Sequence, residues 1–169
     1  MVSIEVLPAT SATWNDVMET APAFAADAGP LLEAGSKIVA TLRKDGSPRI
    51  SAIDMRLVEG HAVLMLMPHS QKVRDIRRDP RVAVHASSHA SADMASWPGD
   101  AKLCGRAVQA DPVTAARLRD AIGAPEEVAG DPVFVVDITE VVITRPAPGG
   151  DQVEVILWKG GDVRRMQAR

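Results

Sequence analysis

The chain has no tyrosine, three tryptophans, two phenylalanines and a single cysteine among its 169 residues. So few rings leave no series of platforms on which nucleotide bases could stack. A formal net charge of −3 removes the basic surplus on which bulk nucleic-acid binding rests. Cys104 alone cannot close an internal disulfide, so a reducing cytoplasm is the expected compartment. Long apolar runs are missing as well. "AVLMLMP" at 62–68 is far too short to span a membrane, and "MVSIEVLPAT" has no basic segment leading into an apolar one, as a signal peptide would. There is no Gly-x-Gly-x-x-Gly, no phosphate-binding Gly-x4-Gly-Lys loop, no Gly-x-Ser-x-Gly elbow and no Cys-x-x-Cys. These absences exclude the commonest dinucleotide, nucleotide, hydrolase and thiol-redox machines. Four histidines are present (His61, His69, His85 and His89), but their spacing does not build a metal site, and none is expected. Cys104 lies in an apolar run and reads as a small buried hydrophobe rather than a nucleophile.

What is there is an ordinary globular composition, 46% hydrophobic and 24% charged, of a length that suits one domain. Thr13 is placed to cap "WNDVMETAPAFAADAGPLLEA", which Pro22 and Pro30 should divide, so residues 1–34 form a helical segment packed on the outside. After Gly35 the texture changes to strands. "KIVATLR" and "RISAIDMRLV" flank a turn centred on Asp45-Gly46, and "EGH" reverses the chain into "AVLMLMP". Ser70 is positioned to cap the helix "QKVRDIRR", which Asp79-Pro80 ends. "RVAVHAS", "AKLCGRAVQA", "VFVVDITEVVITR" and "VEVILWK" read as further strands. A helix, "VTAARLRDAI", is opened by Asp111-Pro112 and stopped by Gly123. Six or seven strands, short turns and few helices predict a mainly β fold, a closed or nearly closed antiparallel barrel. Strands such as "VFVVDITEVVITR" and "AVLMLM" carry more apolar surface than one small barrel's interior needs, which suits a buried subunit interface.

One short stretch stands out chemically. "MLMPHSQKVRDIRRDPRVAV", residues 65–84, places Lys72, Arg74, Arg77, Arg78 and Arg81 just behind a strand and a serine. A helix N-terminus offers unpaired N–H groups and partial positive charge, and Ser70 and Lys72 would add a hydroxyl and an ammonium on its first turn. The plain alternative is a solvated basic surface partly neutralised by Asp75 and Asp79.

"ATLRKDGSPRISAIDMR…AVLMLMPHSQKVRDIRRDPRVAV", with "WKGGDVRRM" at 158–166, resembles the flavin-binding split barrel of the pyridoxamine 5′-phosphate oxidase-like superfamily. The resemblance implies a six-stranded antiparallel split barrel that forms a homodimer, with FMN in grooves along the subunit interface. It implies that Lys72 and Ser70 hold the flavin phosphate, with Gln71 standing where the family has an arginine. On the second strand Ser51 replaces another phosphate-binding arginine, while Arg56 keeps a cation that would face the ring and favour the anionic reduced flavin. Met65 and Leu66 fall on positions lining the FMN site, Asp100 on a glutamine that reaches the flavin from the partner, and Trp158 on a tryptophan beside it. Read from composition alone, Trp158 plugs the barrel and Trp97 anchors a loop. Arg164 keeps the substrate-phosphate arginine of the family's closing motif, but Met166 replaces its histidine and Ala168 a further arginine. Methionine is neither acid, base nor cation, which argues against vitamin B6 oxidation itself.

The reading that follows is an FMN-dependent oxidoreductase acting on a small molecule by hydride transfer. A second is an F420-dependent reductase of quinone-like or unsaturated substrates, with Arg74, Arg77, Arg78 and Arg81 as a track for an acidic cofactor tail. A third, from a different class, is a non-catalytic binder of flavin, haem or another tetrapyrrole, with His85 or His89 as axial ligand.

Overall fold

The computed structural model describes residues 11–87, 96–148 and 152–168. Two helices come first, α1 (Trp14–Thr20) and α2 (Pro22–Glu33). Thr13 caps α1 in a reciprocal box, its hydroxyl accepting from the Asp16 N–H at 3.2 Å while the Asp16 carboxylate takes the Thr13 N–H at 2.6 Å. Pro22 divides the two helices as expected, sitting at the start of α2, where its missing N–H costs nothing. Pro30 does not divide α2. It lies in the last turn, and its carbonyl still takes the Ala34 N–H at 3.0 Å.

The strands β1 (Ser36–Leu42), β2 (Pro48–Val58) and β3 (His61–Met65) form a meander. Its second turn has Glu59 and Gly60 both at positive φ, 48° and 74°, the mirror-image turn whose twist suits a two-residue hairpin. Helix α3 (Gln71–Arg78) leads into β4 (Arg81–Ser87) and β5 (Asp100–Gln109), α4 (Pro112–Ile122) follows, and β6 (Val133–Pro146), β7 (Val153–Lys159) and β8 (Asp162–Ala168) finish the chain. Sheet order is β3-β2-β1-β4-β5-β6-β7-β8, with β3 also paired to β6, so six antiparallel strands close into a barrel and two continue from its rim. The eighth strand, β8, has no strand signal in the sequence: residues 162–167 of "DVRRMQA" are exposed and carry no alternating apolar pattern.

The splitting of the barrel has a local cause. The first residues of β6, Val133–Val136, pair with β3, and its last, Val141–Pro146, pair with β7. Between them the register with β5 slips by one residue at Cys104/Gly105, leaving Thr139 as the extra residue, its hydroxyl donating to the Cys104 carbonyl at 3.2 Å. A Cβ on Gly105 would stand 2.2 Å from the Asp137 carbonyl oxygen, so only glycine lets β5 and β6 approach here.

The core fills the barrel and the space under α1 and α2, joining Trp14, Phe24 and Leu32 of the helical segment to Met55, Leu64, Leu103, Phe134 and Trp158. A second, smaller cluster puts Ala115 and Leu118 of α4 against Val63 and Val133. The doubly apolar strands are thereby explained without a partner subunit: α4 of the same chain covers the outer face of β3 and the start of β6. Part of the apolar surface that remains open lies on the outer face of β2, β1, β4 and β5, where Ile38 and Ile50 are exposed.

Candidate functional site

The corner between β2, β3 and α3 collects most of the sequence-predicted residues. Ser70 takes the N-cap position of α3 with extended backbone, φ −69° and ψ 152°, but its hydroxyl makes no capping bond. That oxygen is buried and has no hydrogen-bond partner among the described residues. A hydroxyl buried without a partner is costly, and its place at a helix N-terminus makes it an available ligand for an incoming anion. Lys72, one residue into the helix, sends its ammonium to the Ala52 carbonyl of β2 at 3.0 Å. This contact brings the first turn of α3 against the strand that carries Ser51. Met65 closes β3 half-buried, and the fully buried Leu66 donates its N–H to the Pro132 carbonyl at 3.2 Å. Ser51, Met65, Leu66, Ser70, Gln71 and Lys72 thus belong to one region.

Arg56 does not share the face of Ser51. Period-two alternation along β2 puts Arg49, Ser51, Ile53 and Met55 on the more buried side, and Arg56 with Ile50, Ala52 and Asp54 on the other. The Arg56 guanidinium lies 3.2 Å from Asp54 and 3.8 Å from Glu33. Asp100 opens β5, three strands round the barrel from β2, with one carboxylate oxygen 3.3 Å from His85 Nε2 but outside hydrogen-bond geometry. Trp158 is 1% exposed and donates its indole N–H to Thr20 of α1 at 3.1 Å, so it is buried between β7 and the N-terminal helices. Arg164 stands on β8 across from Leu157, beside a small cleft shared with Lys159 and Asp162. His89 lies outside the described residues, and Ser96 and Trp97 lead out of that segment into β5.

The site also contains Arg43, Lys44 and Arg49, cations that lie outside the basic stretch 65–84. Gln71 opens onto a pocket of about 580 Å³ lined by Arg43, Lys44, Asp45, Arg49, Asp75 and Arg78. At its base Asp75, 3% exposed, accepts from Thr41 at 3.0 Å, from Arg49 at 2.7 Å and from Arg78 at 2.9 Å. Burial pushes the Asp75 carboxyl up, but the hydrogen bonds from Arg49, Arg78 and Thr41 together outweigh it and hold it below the usual carboxylate range. The carboxylate therefore fixes two guanidinium groups at the pocket wall. The signal was present in the sequence: Arg49 is two residues from Ser51, hence on the same face of the same strand.

The basic track drawn from the helix alone is less continuous than its spacing suggested. Arg81 is held by Asp79 at 2.6 Å, and Arg77 turns to Gln109 at 3.1 Å on another side of the helix. Cys104 has its thiol pushed up to about 11, by burial first and then by the neighbouring Glu140, so it stays protonated at neutral pH and is no nucleophile.

The closed six-stranded barrel with two further strands, and a helix start lodged against β2, decide the fold. The chain has the split-barrel fold of the pyridoxamine 5′-phosphate oxidase-like proteins. No protein-family model and no curated protein matches the chain. Among solved split barrels it is similar to PhzG from Burkholderia lata 383, in complex with tetrahydrophenazine-1-carboxylic acid. The two share 13% identity over 99% of this chain and 100% of that one, with a TM-score of 0.60. A pyridoxamine 5′-phosphate oxidase candidate from Lactobacillus delbrueckii aligns at 18% identity, covering 68% of this chain and 89% of its own, with a TM-score of 0.55. An F420 reductase aligns at 21% identity over 66% of this chain and 92% of its own, with a TM-score of 0.51. Among the described residues, no helix of this split barrel is long and apolar enough to cross a membrane.

Proposed function

We propose that this split barrel is an FMN-binding oxidoreductase that moves a hydride to or from a small molecule, with the flavin phosphate gripped at the α3 corner. The observation that carries the reading is the unpartnered, buried Ser70 hydroxyl at the N-terminus of α3, with Lys72 on the same turn. The Lys72 ammonium rests on a neutral carbonyl, Ala52, an acceptor that a phosphate dianion outcompetes. The charges that Ser51 and Gln71 do not supply have nearby substitutes in Arg49 and Arg78, both fixed by Asp75. The residues present therefore fit a flavin monophosphate. When bound, FMN supplies two-electron hydride chemistry that no side chain of this sequence provides. The chain's own work is to bind the phosphate through Ser70, Lys72 and the first N–H groups of α3, and to seat the ring beside Met65 and Leu66.

The four cations of the pocket, Arg43, Lys44, Arg49 and Arg78, favour one second reading. A deazaflavin such as F420, whose acidic tail extends beyond its phosphate, would find there the continuation that the outer face of α3 lacks.

The proposal includes a homodimer, formed through the open outer face of the barrel. There Ile50 is 70% and Ile38 39% exposed, beside Ala40, Ala83 and Cys104.

Fluorescence titration of the purified protein with FMN, riboflavin and F420, repeated on Lys72→Ala, tests the reading. FMN should bind more tightly than riboflavin. The substitution should weaken FMN about tenfold to a hundredfold, the worth of one charge-assisted hydrogen bond, and leave riboflavin unchanged. Equal affinity for FMN and riboflavin would remove the phosphate grip from the argument. Preference for F420 would select the second reading.

A further inference from the structure

On the side of α3 away from Gln71, the helix borders a second cleft of about 470 Å³, walled by α4 and by the chain entering β6. Arg77 of α3 and Arg119 of α4 line it from two directions, with Gln109 and Asp131 between them. Arg77 donates its Nε to the Gln109 side-chain oxygen at 3.1 Å and makes no ion pair among the described residues. Arg119 gives one terminal nitrogen to the main-chain oxygen of Asp131, while its Nε is buried and without an acceptor among the described residues. The Asp131 carboxylate pairs with neither arginine. By contrast Arg78 at the end of α3, Arg81 just after it and Arg49 on β2 each hold a carboxylate. Two guanidinium groups, one with a buried unpaired N–H, therefore face a cleft whose carboxylate, Asp131, pairs with neither of them.

The floor of the cleft is apolar, formed by Ala115, Pro132 and Val133. A guanidinium fork matches the planar or tetrahedral oxygens of a carboxylate or phosphate, and an apolar floor next to it suits a small hydrocarbon body. We infer that this cleft is a binding site for a small organic anion, whose oxyanion head lies between Arg77 and Arg119 and whose apolar body rests on Ala115 and Val133. The cleft adjoins the flavin corner, since Leu66 donates its N–H to Pro132 and Met65 pairs with Val133, but Lys72 and Arg77 are five residues apart and so point to different sides of α3.

Isothermal titration calorimetry of the full chain with inorganic phosphate and, separately, with benzoate at constant ionic strength tests the inference. At least one should bind. Benzoate alone assigns a carboxylate with an apolar body, phosphate alone a free or esterified phosphate, and both the shared oxyanion head. Arg77→Gln should weaken binding about tenfold. Arg119→Gln should do so at least as strongly, although it also loses the contact with Asp131. Gly130→Leu separates blocking from unfolding: Gly130 lines the cleft, and a Cβ there meets no atom within 4 Å, so the variant should keep its melting temperature and lose binding. Lys72→Ala should bind as the parent does. Absence of heat with either anion would overturn the inference. So would affinity unchanged in Arg77→Gln and Gly130→Leu, or lost only in Lys72→Ala.

Discussion

Asp75 is the only buried carboxylate among the described residues, and it shows how a single side chain can organise a charged surface. Three donors converge on it, from β1 (Thr41), β2 (Arg49) and α3 (Arg78), so it ties the helix to the meander and orients two cations at once. Replacing it with Asn keeps the shape and removes the charge. Because Arg49 and Arg78 still reach water, the cost at pH 7 should be about 2 kcal/mol, less than that of stranding a fully buried ion. The pH dependence has a definite sign. The Asp75 carboxyl lies lower in the folded chain than its ordinary value of 3.8, so its stabilisation is complete above that value and is lost as pH falls through the folded one. Urea denaturation between pH 7 and pH 2.5 should show the parent losing its advantage over Asp75→Asn only below about pH 4. A constant difference across that range would mean that the carboxylate acts through shape rather than charge. At this scale the sequence was half legible. Ser70 and Lys72 stood out because one helix start concentrates their chemistry, and Asp75 and Arg78 because they share that helix, whereas Thr41 and Arg49 come from separate strands whose meeting with Asp75 only the folded chain makes visible.

At the scale of elements, seven of the eight strands could be read from alternation and turn residues, and the eighth could not. β8 pairs with β7 from Lys159↔Asp162 to Val153↔Ala168, but it is an edge strand with arginines and a half-exposed methionine, so no apolar period marks it. The helix boundaries followed Thr13, Pro22, Asp79 and Gly123, all residues with a local physical reason to start or stop a helix. The irregularity that splits the barrel was legible only as a glycine in a strand. Gly105 marks where β6 changes partners from β3 to β7, and a methyl group there would collide with the Asp137 carbonyl. Gly105→Ala should therefore destabilise the fold by about 3 kcal/mol, the upper range for overpacking, and lower the melting temperature by several degrees. Amide exchange should locate the damage in β5, β6 and β7, leaving the β1–β2–β3 meander protected. Uniform loss of protection would instead mean that the bulge and the meander unfold as one unit.

At the scale of the whole molecule, where the apolar surface lies matters more than how much there is. The continuous hydrophobic runs of β3 and β6 suggested an interface, but Ala115 and Leu118 of α4 already cover that face. The uncovered face runs across four strands in register, from Ile50 through Ala40 and Ala83 to Cys104, with Ile38 and His85 in the next row. An outer barrel face bearing an isoleucine 70% exposed is a poor surface to leave to water, and a two-fold pairing of two such faces would bury it in a self-complementary way. Light scattering at micromolar concentration should therefore give twice the chain mass for the parent. Ile50→Glu should give a monomer, because the pairing would bring two such carboxylates into a dry interface. The substitution should barely change the fold of the monomer, since Ile50 contributes little to its core. The two measurements separate the possibilities. A monomeric parent ends the dimer proposal and requires the FMN site to be complete within one chain. A dimeric Ile50→Glu moves the interface to another surface. A monomeric Ile50→Glu that also loses FMN, while keeping Ser70 and Lys72 intact, would mean that the cofactor groove needs residues from both copies.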